Sequence, residues 1–349
     1  MIKQRIPWFD NVKGLLIFLV VFGHFIESYR NPEHPGIILY FYNVIYFFHM
    51  PLFIMISGYF FRPQKFERII QLISVYLVWQ IANGFLQKLI QDHSLVNLSP
   101  KGRIFDLFDP YWTLWYLLGI VVWSIVTPYF LRLRYPIIIS LIFAVAISYV
   151  DHVPSWFSMR KLVNFYPFFL IGYSLARKNI LISLSQKTKI CKIPIRWGAL
   201  SVVAVFLVFM IFFNQLPSGT EFLFLRSSYS FFTWSILKGA VIHLAYYGIV
   251  VVLSISLMLL VPKEKKLIFF NKLGVNSLFI YLIHTNIVRV YREIAPEQLV
   301  SHKGFVILGA ILFASIVCWL LTRKFILNLF KPIILPRLNW MIKQKEVHS

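Results

Sequence analysis

Residues 16–25, LIFLVVFGHF, and residues 47–61, FFHMPLFIMISGYFF, decide the fold of this chain. Each stretch belongs to an apolar run long enough to cross a lipid bilayer as a helix, which takes about 20 residues. Each also contains one histidine, His24 in the first run and His49 in the second. An ionisable side chain inside a membrane is costly and usually marks a functional site. The two runs therefore predict neighbouring membrane-spanning helices with chemistry between them.

The composition of the whole chain is that of a membrane protein. Its 349 residues are 59% hydrophobic and 14% charged, and its mean hydropathy is +0.72. Soluble domains contain about 45–50% apolar and about 25% charged residues. The long continuous apolar runs favour helices over a membrane barrel, whose strands alternate apolar and polar residues. We therefore predict an all-α integral membrane protein.

The apolar segments form one domain with a core over residues 5–330. We predict ten spans, at residues 12–29, 37–61, 69–90, 111–131, 135–150, 162–176, 197–213, 235–261, 274–291 and 304–330. With a cytoplasmic N-terminus, most of the 35 Lys and Arg residues fall in cytoplasmic segments, which is the positive-inside pattern. The net charge of +22 is thus explained by topology, and we expect no nucleic-acid partner. Both termini are predicted to be cytoplasmic, with a basic tail at 331–349, in a multi-pass protein of the plasma membrane.

Other classes of function lack their sequence signals. The two cysteines predict neither a disulfide framework nor a metal site. The chain has no Walker loop, dinucleotide-binding glycine pattern or His-Glu-x-x-His motif. Glu27, Ser28 and Tyr29 follow the first apolar run where a cleaved signal would have small residues, so we predict a retained helix. We expect no metal and no permanently bound cofactor.

His24 is the first candidate catalytic residue. Glu27 lies three residues later, on the same face of a helix, where its carboxylate can orient the imidazole and raise its basicity. Histidine suits proton transfer because its ordinary pKa lies near neutrality. Pro51, shortly after His49, breaks a helix hydrogen bond, and such breaks in membranes are packed against protein or line a wet cavity. The alternative for His24 and His49 is an interhelical hydrogen bond. Ser57 and Gly58, further along the second run, predict a close approach of another helix.

A second group of candidates marks the cytoplasmic edge of the first two spans. Asp10 and Lys13 precede the first run, and Arg62, Lys65 and Arg68 follow the second. Because guanidinium groups bind phosphates bidentately, Lys13, Arg62 and Arg68 predict a site for a phosphate-bearing ligand. The alternative is ordinary topology-setting charge, which is also the interpretation for Lys65.

Two further features are less specific. His284 ends the apolar sequence SLFIYLIH at 277–284, where a single histidine is commonly structural. The sequence YWTLWYL at 111–117 contains Trp115 and Tyr116 at a membrane edge. Aromatic rings form belts at that depth, and they also stack against sugars, so both interpretations stay open.

These motifs resemble those of the acyltransferase family 3 membrane proteins. The specific similarity lies in Arg5, in DNVKG at 10–14, in VVFGH at 20–24, in FHMPLF at 48–53 and in SGY at 57–59. Weaker similarity lies in LWYL at 114–117 and SLFIYLIH at 277–284. The pattern looks most like the subgroup of fucose 4-O-acetylase and related acetyltransferases. DNVKG departs from the Asp-x-x-Arg-Gly pattern that is more common in the family.

The resemblance implies a ten-helix fold that moves an acetyl or other acyl group from cytoplasmic acyl-CoA to a carbohydrate hydroxyl. The family's essential histidine corresponds to His24, and its basic pair after the second span to Arg62 and Arg68. The basic residue near the start of the first span corresponds to Arg5 or Lys13. We therefore expect acetyl-CoA as donor and a cell-surface or lipid-linked carbohydrate as acceptor. The candidate acceptor-binding residues are Asp10, His49, Trp115, Tyr116 and His284.

Two other classes of function remain as alternatives. A transporter or flippase for a lipid-linked sugar or a small metabolite would also need buried histidines and a polar cavity. No inverted repeat with matched broken helices, the usual transporter signature, is visible in the sequence. A structural or sensor membrane protein would leave the histidine pair and the basic residues unexplained. The sequence leaves open the oligomeric state, the acyl chain length and whether a second protein receives the acyl group.

Overall fold

A computed structural model describes residues 6–63, 66–92, 107–187, 189–190, 193–294, 303–334 and 336. Within these residues the chain is almost entirely α-helical, which confirms the predicted fold class. The helices are α1 (Pro7–Ile26), α2 (Ile37–Tyr59), α3 (Phe66–Asp92), α4 (Trp115–Phe130), α5 (Pro136–Tyr149), α6 (Met159–Arg177), α7 (Ile180–Gln186), α8 (Ile195–Phe213), α9 (Gly219–Leu223), α10 (Ile236–Leu260), α11 (Ile268–Val275), α12 (Ser277–Ile294), α13 (Lys303–Leu321) and α14 (Lys324–Ile334). A small antiparallel hairpin pairs β1 (Lys189–Ile190) with β2 (Ile193–Pro194).

Several of these helices have the length and composition of membrane spans. In the described part of the chain, seven are long and apolar enough to cross a bilayer, and the bent pair α11–α12 makes a possible eighth. The seven are α1 with the turn that follows it, α2, α3, α4, α8, α10 and α13. The two shortest predicted spans, 135–150 and 162–176, coincide with α5 and α6 to within three residues at each end. The total of ten spans and the cytoplasmic termini stay predictions; Arg5, Lys65 and residues 337–349 lie outside the described residues.

Two predicted spans are each divided between two helices in the structure. The predicted span 274–291 begins at a break, because α11 and α12 meet at Asn276 and are bent by 87°. The predicted span 304–330 is interrupted after Leu321, where α13 ends and the separate helix α14 follows. At that break the Arg323 guanidinium lies 3.3 Å from the centre of the Trp319 ring. Asn276 and Ser277 mark the first break and Arg323 and Lys324 the second, but the apolar residues beyond them keep the mean hydropathy of each predicted span high.

Reciprocal glycines set the closest crossing between α2 and α6. A Cβ atom on Gly58 of α2 would lie 1.9 Å from the carbonyl oxygen of Phe169, and one on Gly172 of α6 would lie 1.9 Å from that of Met55. Any side chain at either position would therefore collide with the backbone of the facing helix. Small residues allow this close approach, which favours helix association in membranes. The packing role predicted for Gly58 is confirmed.

The same arrangement holds α1 against the short helix α11. A Cβ atom on Gly14 would lie 1.7 Å from the carbonyl oxygen of Phe270, and one on Gly274 would lie 1.8 Å from that of Asp10. The N-terminal half of α1 is therefore fixed by a helix that lies almost perpendicular to α12. This contact places the start of α12 beside α1, where both helices reach one cavity.

Helix α1 lies at the centre of the bundle. Most of its residues are buried, and the Trp8 indole Nε1 donates to the carbonyl of Met258 in α10 at 2.8 Å. Helices α8 and α13, by contrast, present large apolar side chains outward, such as Val205 and Phe212. Outward apolar faces suit contact with lipid tails. Because α1 has little outward surface, its polar residues must face other helices or a cavity.

Candidate functional site

A cavity of about 290 Å³ lies between α1, α2, α4, α6, α12 and the loop that follows α9. The sequence candidates among its lining residues are His24, Glu27, His49, Trp115 and Tyr116. Its apolar lining includes Ile17, Val20, Phe53, Phe165 and Leu278. Concave sites with mostly apolar walls and a few convergent polar groups are typical of ligand binding. The structure thus brings five of the predicted site residues to one cavity.

His24 is held through one of its two ring nitrogens. Its Nδ1 lies 3.1 Å from Oε2 of Glu27 and 2.9 Å from the hydroxyl of Tyr46. A carboxylate only accepts hydrogen bonds, so this arrangement assigns the proton to Nδ1. The lone pair is then on Nε2. This nitrogen makes no hydrogen bond to the described residues and is not fully enclosed, so it is accessible from the cavity that His24 lines.

Glu27 is itself anchored by a residue that is distant in sequence. Nη2 of Arg292, near the end of α12, donates to Oε2 of Glu27 at 2.8 Å and to the backbone carbonyl of His24 at 3.0 Å. The carboxyl is therefore fixed between the imidazole and a guanidinium. General bases in acyl transfer use the same arrangement: a fixed carboxylate binds Nδ1–H of a histidine and leaves Nε2 free to accept a proton.

Trp112, shortly before α4, packs against both His24 and Arg292. Its ring centre lies 4.8 Å from that of His24, and the Arg292 guanidinium lies 4.8 Å from the centre of the same ring. Its backbone φ is +40°, a left-handed conformation that is unfavourable for a bulky residue. Strained backbone of this kind persists where surrounding contacts hold it, and it is common at functional sites.

His49 presents a second imidazole to the cavity. Its Nδ1–H donates to the carbonyl of Ile45, four residues earlier in α2, at 2.8 Å. This bond leaves the lone pair on Nε2, which makes no hydrogen bond to the described residues. The ring of Tyr46 lies between the two histidines, with its centre 5.9 Å from His24 and 4.7 Å from His49. Helix α2 continues through Pro51, so the predicted break is a missing hydrogen bond inside a helix.

His284 lies behind His24. It is completely buried, its Nδ1–H donates to the carbonyl of Ile280 at 2.9 Å, and its ring centre lies 5.5 Å from that of His24. Its Nε2 is buried without a partner among the described residues. His284 therefore packs against the site and is not among the residues that line the cavity, whereas the role in acceptor binding stays a prediction.

The aromatic pair on α4 lines the cavity wall. The Trp115 ring lies 4.9 Å from that of Phe165, and the Tyr116 hydroxyl lies 2.7 Å from that of Ser57. Ser57, predicted to allow close helix approach, therefore makes a polar contact with α4. Both aromatic rings face protein and cavity, which favours the ligand-stacking interpretation over a lipid-facing belt. Contact of either ring with a sugar stays a prediction.

The residues predicted to hold a phosphate do not line this cavity. Lys13 forms an ion pair with Asp10 at 2.7 Å near the start of α1. Lys13 precedes His24 by eleven residues, which corresponds to about 16 Å along a helix. Arg62 and Arg68 are exposed beyond the end of α2, and Arg68 donates to Gln71 at 2.5 Å. The described residues contain no cluster of three His, Cys, Asp or Glu side chains arranged to hold a metal ion.

Sequence reasoning missed three residues that contact His24 or Glu27. They are Tyr46, Trp112 and Arg292. For Arg292 a signal exists, because it is a basic residue at a predicted outer end of a span, where the positive-inside pattern predicts few. Tyr46 and Trp112 are ordinary aromatic residues of membrane helices, and no sequence pattern distinguishes them.

Fold and cavity together define a multi-pass membrane protein with a cavity between its helices that two histidines line. The chain belongs to the acyltransferase family 3, because the model of that family, described as an acyltransferase domain, matches residues 6–324. The predicted class of enzyme, an acyltransferase, is thereby confirmed at the level of the family. The subgroup of fucose 4-O-acetylases stays a prediction.

The chain is also similar to two proteins named nodulation protein NolL. The protein from Sinorhizobium fredii (strain NBRC 101917 / NGR234) is 32% identical over 184 residues, which cover 48% of either chain. The protein from Mesorhizobium japonicum (strain LMG 29417 / CECT 9101 / MAFF 303099) is 31% identical over 188 residues, which cover 48% of this chain and 47% of the relative. The similarity thus spans about half the length of these relatives. No solved structure matches the chain significantly.

Proposed function

We propose that this protein transfers an acyl group, with acetyl as the expected group, from acyl-CoA to a carbohydrate hydroxyl, and that His24 is the catalytic base. The observation that carries the proposal is the Nε2 lone pair of His24 in the cavity, with Nδ1–H held by Glu27 and Glu27 held by Arg292. Membership of the acyltransferase family 3 supports the reaction class. A positioned general base contributes about 10²–10⁴-fold to a rate.

The reaction balances around the Nε2 atom of His24. The acceptor hydroxyl gives its proton to Nε2 while its oxygen attacks the carbonyl carbon of the thioester. The carbon–sulfur bond then breaks, and the proton on Nε2 passes to the departing CoA sulfur. A route through an acyl-histidine uses the same nitrogen as nucleophile, and the geometry is compatible with both routes.

The donor is proposed to enter from the end of α1 that carries Lys13. Lys13, Arg62 and Arg68 would bind the phosphates of the CoA nucleotide, since Lys and Arg side chains form charge-assisted hydrogen bonds with phosphate oxygens. Ile17, one turn beyond Lys13, already lines the cavity, and apolar walls suit the thin pantetheine arm. An acyl group would thus cross the membrane while CoA stays on the cytoplasmic side.

The acceptor is proposed to enter from the Glu27 end of the cavity. His49 offers a second Nε2 lone pair to acceptor hydroxyls, and the Trp115 and Tyr116 rings offer faces for sugar stacking. This arrangement would separate the donor and acceptor entrances by the length of α1. It agrees with the predicted plasma-membrane location and a cell-surface or lipid-linked carbohydrate.

The test uses the purified full chain in sealed inside-out vesicles with candidate glycans in the lumen. Radiolabelled acetyl-CoA is added outside, and label on the lumenal glycan is measured for the wild type, His24→Ala and His34→Ala. His34 is an exposed histidine that does not line the cavity, so its variant is the matched control. Folding of each variant is checked by gel filtration and thermal melting in detergent.

We expect label with the wild type and the control and its loss with His24→Ala. Transfer that persists in a folded His24→Ala protein would overturn the role of His24. A wild type that neither labels any glycan nor binds acetyl-CoA would favour the transporter alternative.

A further inference from the structure

The end of the cavity near Glu27 is rich in positive charge. Arg30, Lys161 and Arg226 line it, and we name these three residues the cationic mouth. They come from three parts of the chain: the segment after α1, the first turn of α6 and the loop after α9. Basic residues are few at the predicted outer ends of spans, so this convergence is not explained by topology.

Two carboxylates that line or adjoin the cavity, those of Glu27 and Glu221, are already paired. Oε2 of Glu27 accepts from Arg292 and lies against His24. Oε2 of Glu221 accepts from Arg226 at 2.9 Å. These pairs account for the ionic contacts within 4.0 Å that the described residues make near the cavity.

Arg30 and Lys161 therefore have no ionic partner among the described residues. The Arg30 guanidinium lies 4.7 Å from the centre of the Tyr42 ring, and Nζ of Lys161 lies 5.2 Å from that of Trp115. These cation–π contacts compensate the charges only in part. Asp109 is also near this end of the cavity, but no carboxylate of the described residues comes within 4.0 Å of Lys161.

Two half-buried cations without a counter-ion make the cavity attractive to an anion. Low-dielectric walls focus the field of such charges into the cleft and raise the local concentration of oppositely charged ligands. A charge removed from water needs a partner, and an oxyanion supplies the acceptors that guanidinium and ammonium groups require. The ligand that completes this end of the cavity is thus negatively charged.

We propose that the acceptor is a sugar bearing an oxyanion, a carboxylate or a phosphate, that binds Arg30 and Lys161. This inference rests on the proposed function. Arg30 is connected to the base through aromatic contacts: its guanidinium lies over the Tyr42 ring, Tyr42 stacks on Tyr46 at 3.9 Å between ring centres, and the Tyr46 hydroxyl lies 2.9 Å from Nδ1 of His24. An oxyanion at the cationic mouth would place neighbouring hydroxyls of the same sugar towards His24.

The first test measures binding and does not depend on turnover. Methyl glucuronide and methyl glucoside, which differ in charge at one carbon, are titrated against the full chain in nanodiscs of zwitterionic lipid. We expect the glucuronide to bind at least about tenfold more tightly, a difference that corresponds to about 1.4 kcal/mol. The Arg30→Gln/Lys161→Gln variant should lose this preference, whereas Arg30→Lys/Lys161→Arg and the exposed-site control Lys238→Gln should keep it.

Equal binding of the two probes to the wild type, binding of neither, or a preference that survives in the folded double glutamine variant would each overturn the proposal. The Arg62→Gln/Arg68→Gln variant shows whether the opposite end of the bundle contributes to the preference for glucuronide. If that variant loses the preference and Arg30→Gln/Lys161→Gln keeps it, the proposal is also overturned.

The second test separates this inference from the proposed function. In acetyl-transfer assays, Arg30→Gln/Lys161→Gln should raise the KM for an acidic acceptor about tenfold or more and leave the KM for acetyl-CoA unchanged. Charge-dependent binding without any acetyl transfer or acetyl-CoA binding would reject the proposed function and retain the anion site. Transfer with the same kcat/KM to acidic and neutral acceptors would retain the proposed function and reject the anion site.

Discussion

The Glu27 end of the cavity and the Lys13 end of α1 hold their charged side chains in different ways. At the Glu27 end, His24, Glu27 and Arg292 are linked by hydrogen bonds and packed against Trp112. At the other end, Lys13 is paired with Asp10, while Arg62 and Arg68 are exposed and make no contact with one another that the structure describes.

This difference agrees with the two roles proposed for the two ends, catalysis at one and nucleotide binding at the other. Acid–base chemistry needs reacting groups at fixed distances, so a buried, interlocked network suits it. Binding of a mobile nucleotide from solution needs charge more than fixed geometry, because exposed cations attract phosphates through a field screened by salt. Substitutions at either end test whether the two ends have these separate roles.

The largest effect is expected from Glu27→Gln. The amide can no longer act as a charged acceptor for Nδ1–H, so the tautomer that places the lone pair on Nε2 loses its support. We expect kcat for acetyl transfer to fall on the order of 10²-fold, with the KM for acetyl-CoA unchanged. Glu33→Gln, an exposed glutamate in the loop before α2, is the control. A Glu27→Gln enzyme with wild-type kcat would show that the carboxylate does not orient His24.

An intermediate effect is expected from Arg62→Glu/Arg68→Glu. Reversal of two charges at the proposed nucleotide site should raise the KM for acetyl-CoA about tenfold, which corresponds to about 1.4 kcal/mol, and leave kcat unchanged. The difference should shrink as salt increases, because these cations are exposed. Arg132→Glu/Arg134→Glu, on another exposed segment, tests topology-setting charge alone. The same rise in KM in that control would argue against a specific phosphate site.

The smallest effect is expected from Tyr46→Phe. The change removes one hydroxyl that lies 2.9 Å from Nδ1 of His24 and leaves the stacked ring in place. A single hydrogen bond contributes about 0.5–1.5 kcal/mol, so we expect kcat to fall between about twofold and tenfold. Tyr40→Phe, whose hydroxyl bonds a backbone carbonyl on α8 outside the cavity, is the control. A loss as large as that of Glu27→Gln would give Tyr46 a direct part in the chemistry.

The sequence predicted those site residues whose chemical type differs from that of their neighbours in the chain. His24 and His49 stand out because ionisable groups are rare in apolar runs, and Glu27 because it lies one turn from His24. Arg292 is separated from Glu27 by 265 positions, and nothing local to either residue predicts their contact. Nothing local to Arg30 or Lys161 predicts that both lack an ionic partner among the described residues, because this is a property of the assembled cavity.

The fold likewise divides into features that local sequence predicts and features that depend on contacts distant in the chain. Hydropathy located the helices, since a bilayer requires about 20 apolar residues for each span. The bend at Asn276 and the break between α13 and α14 were missed, because long apolar stretches on both sides outweigh Asn276, Arg323 and Lys324 in the mean hydropathy of each predicted span. Gly58 was correctly predicted to permit close packing, but its partner Gly172 and the facing carbonyls of Phe169 and Met55 became apparent only in the structure.

The sequence by itself thus determined that this chain is a helical membrane protein with an ionisable residue inside its first span. It did so because the cost of polar groups in a bilayer acts on each residue and each segment separately. Tertiary structure alone decided which side chains meet His24 and which cations have no ionic partner in the part of the chain that the structure describes. Those properties depend on the crossing of helices that are far apart in the chain, and the crossings are set by contacts between backbones, such as those at Gly58 and Gly172.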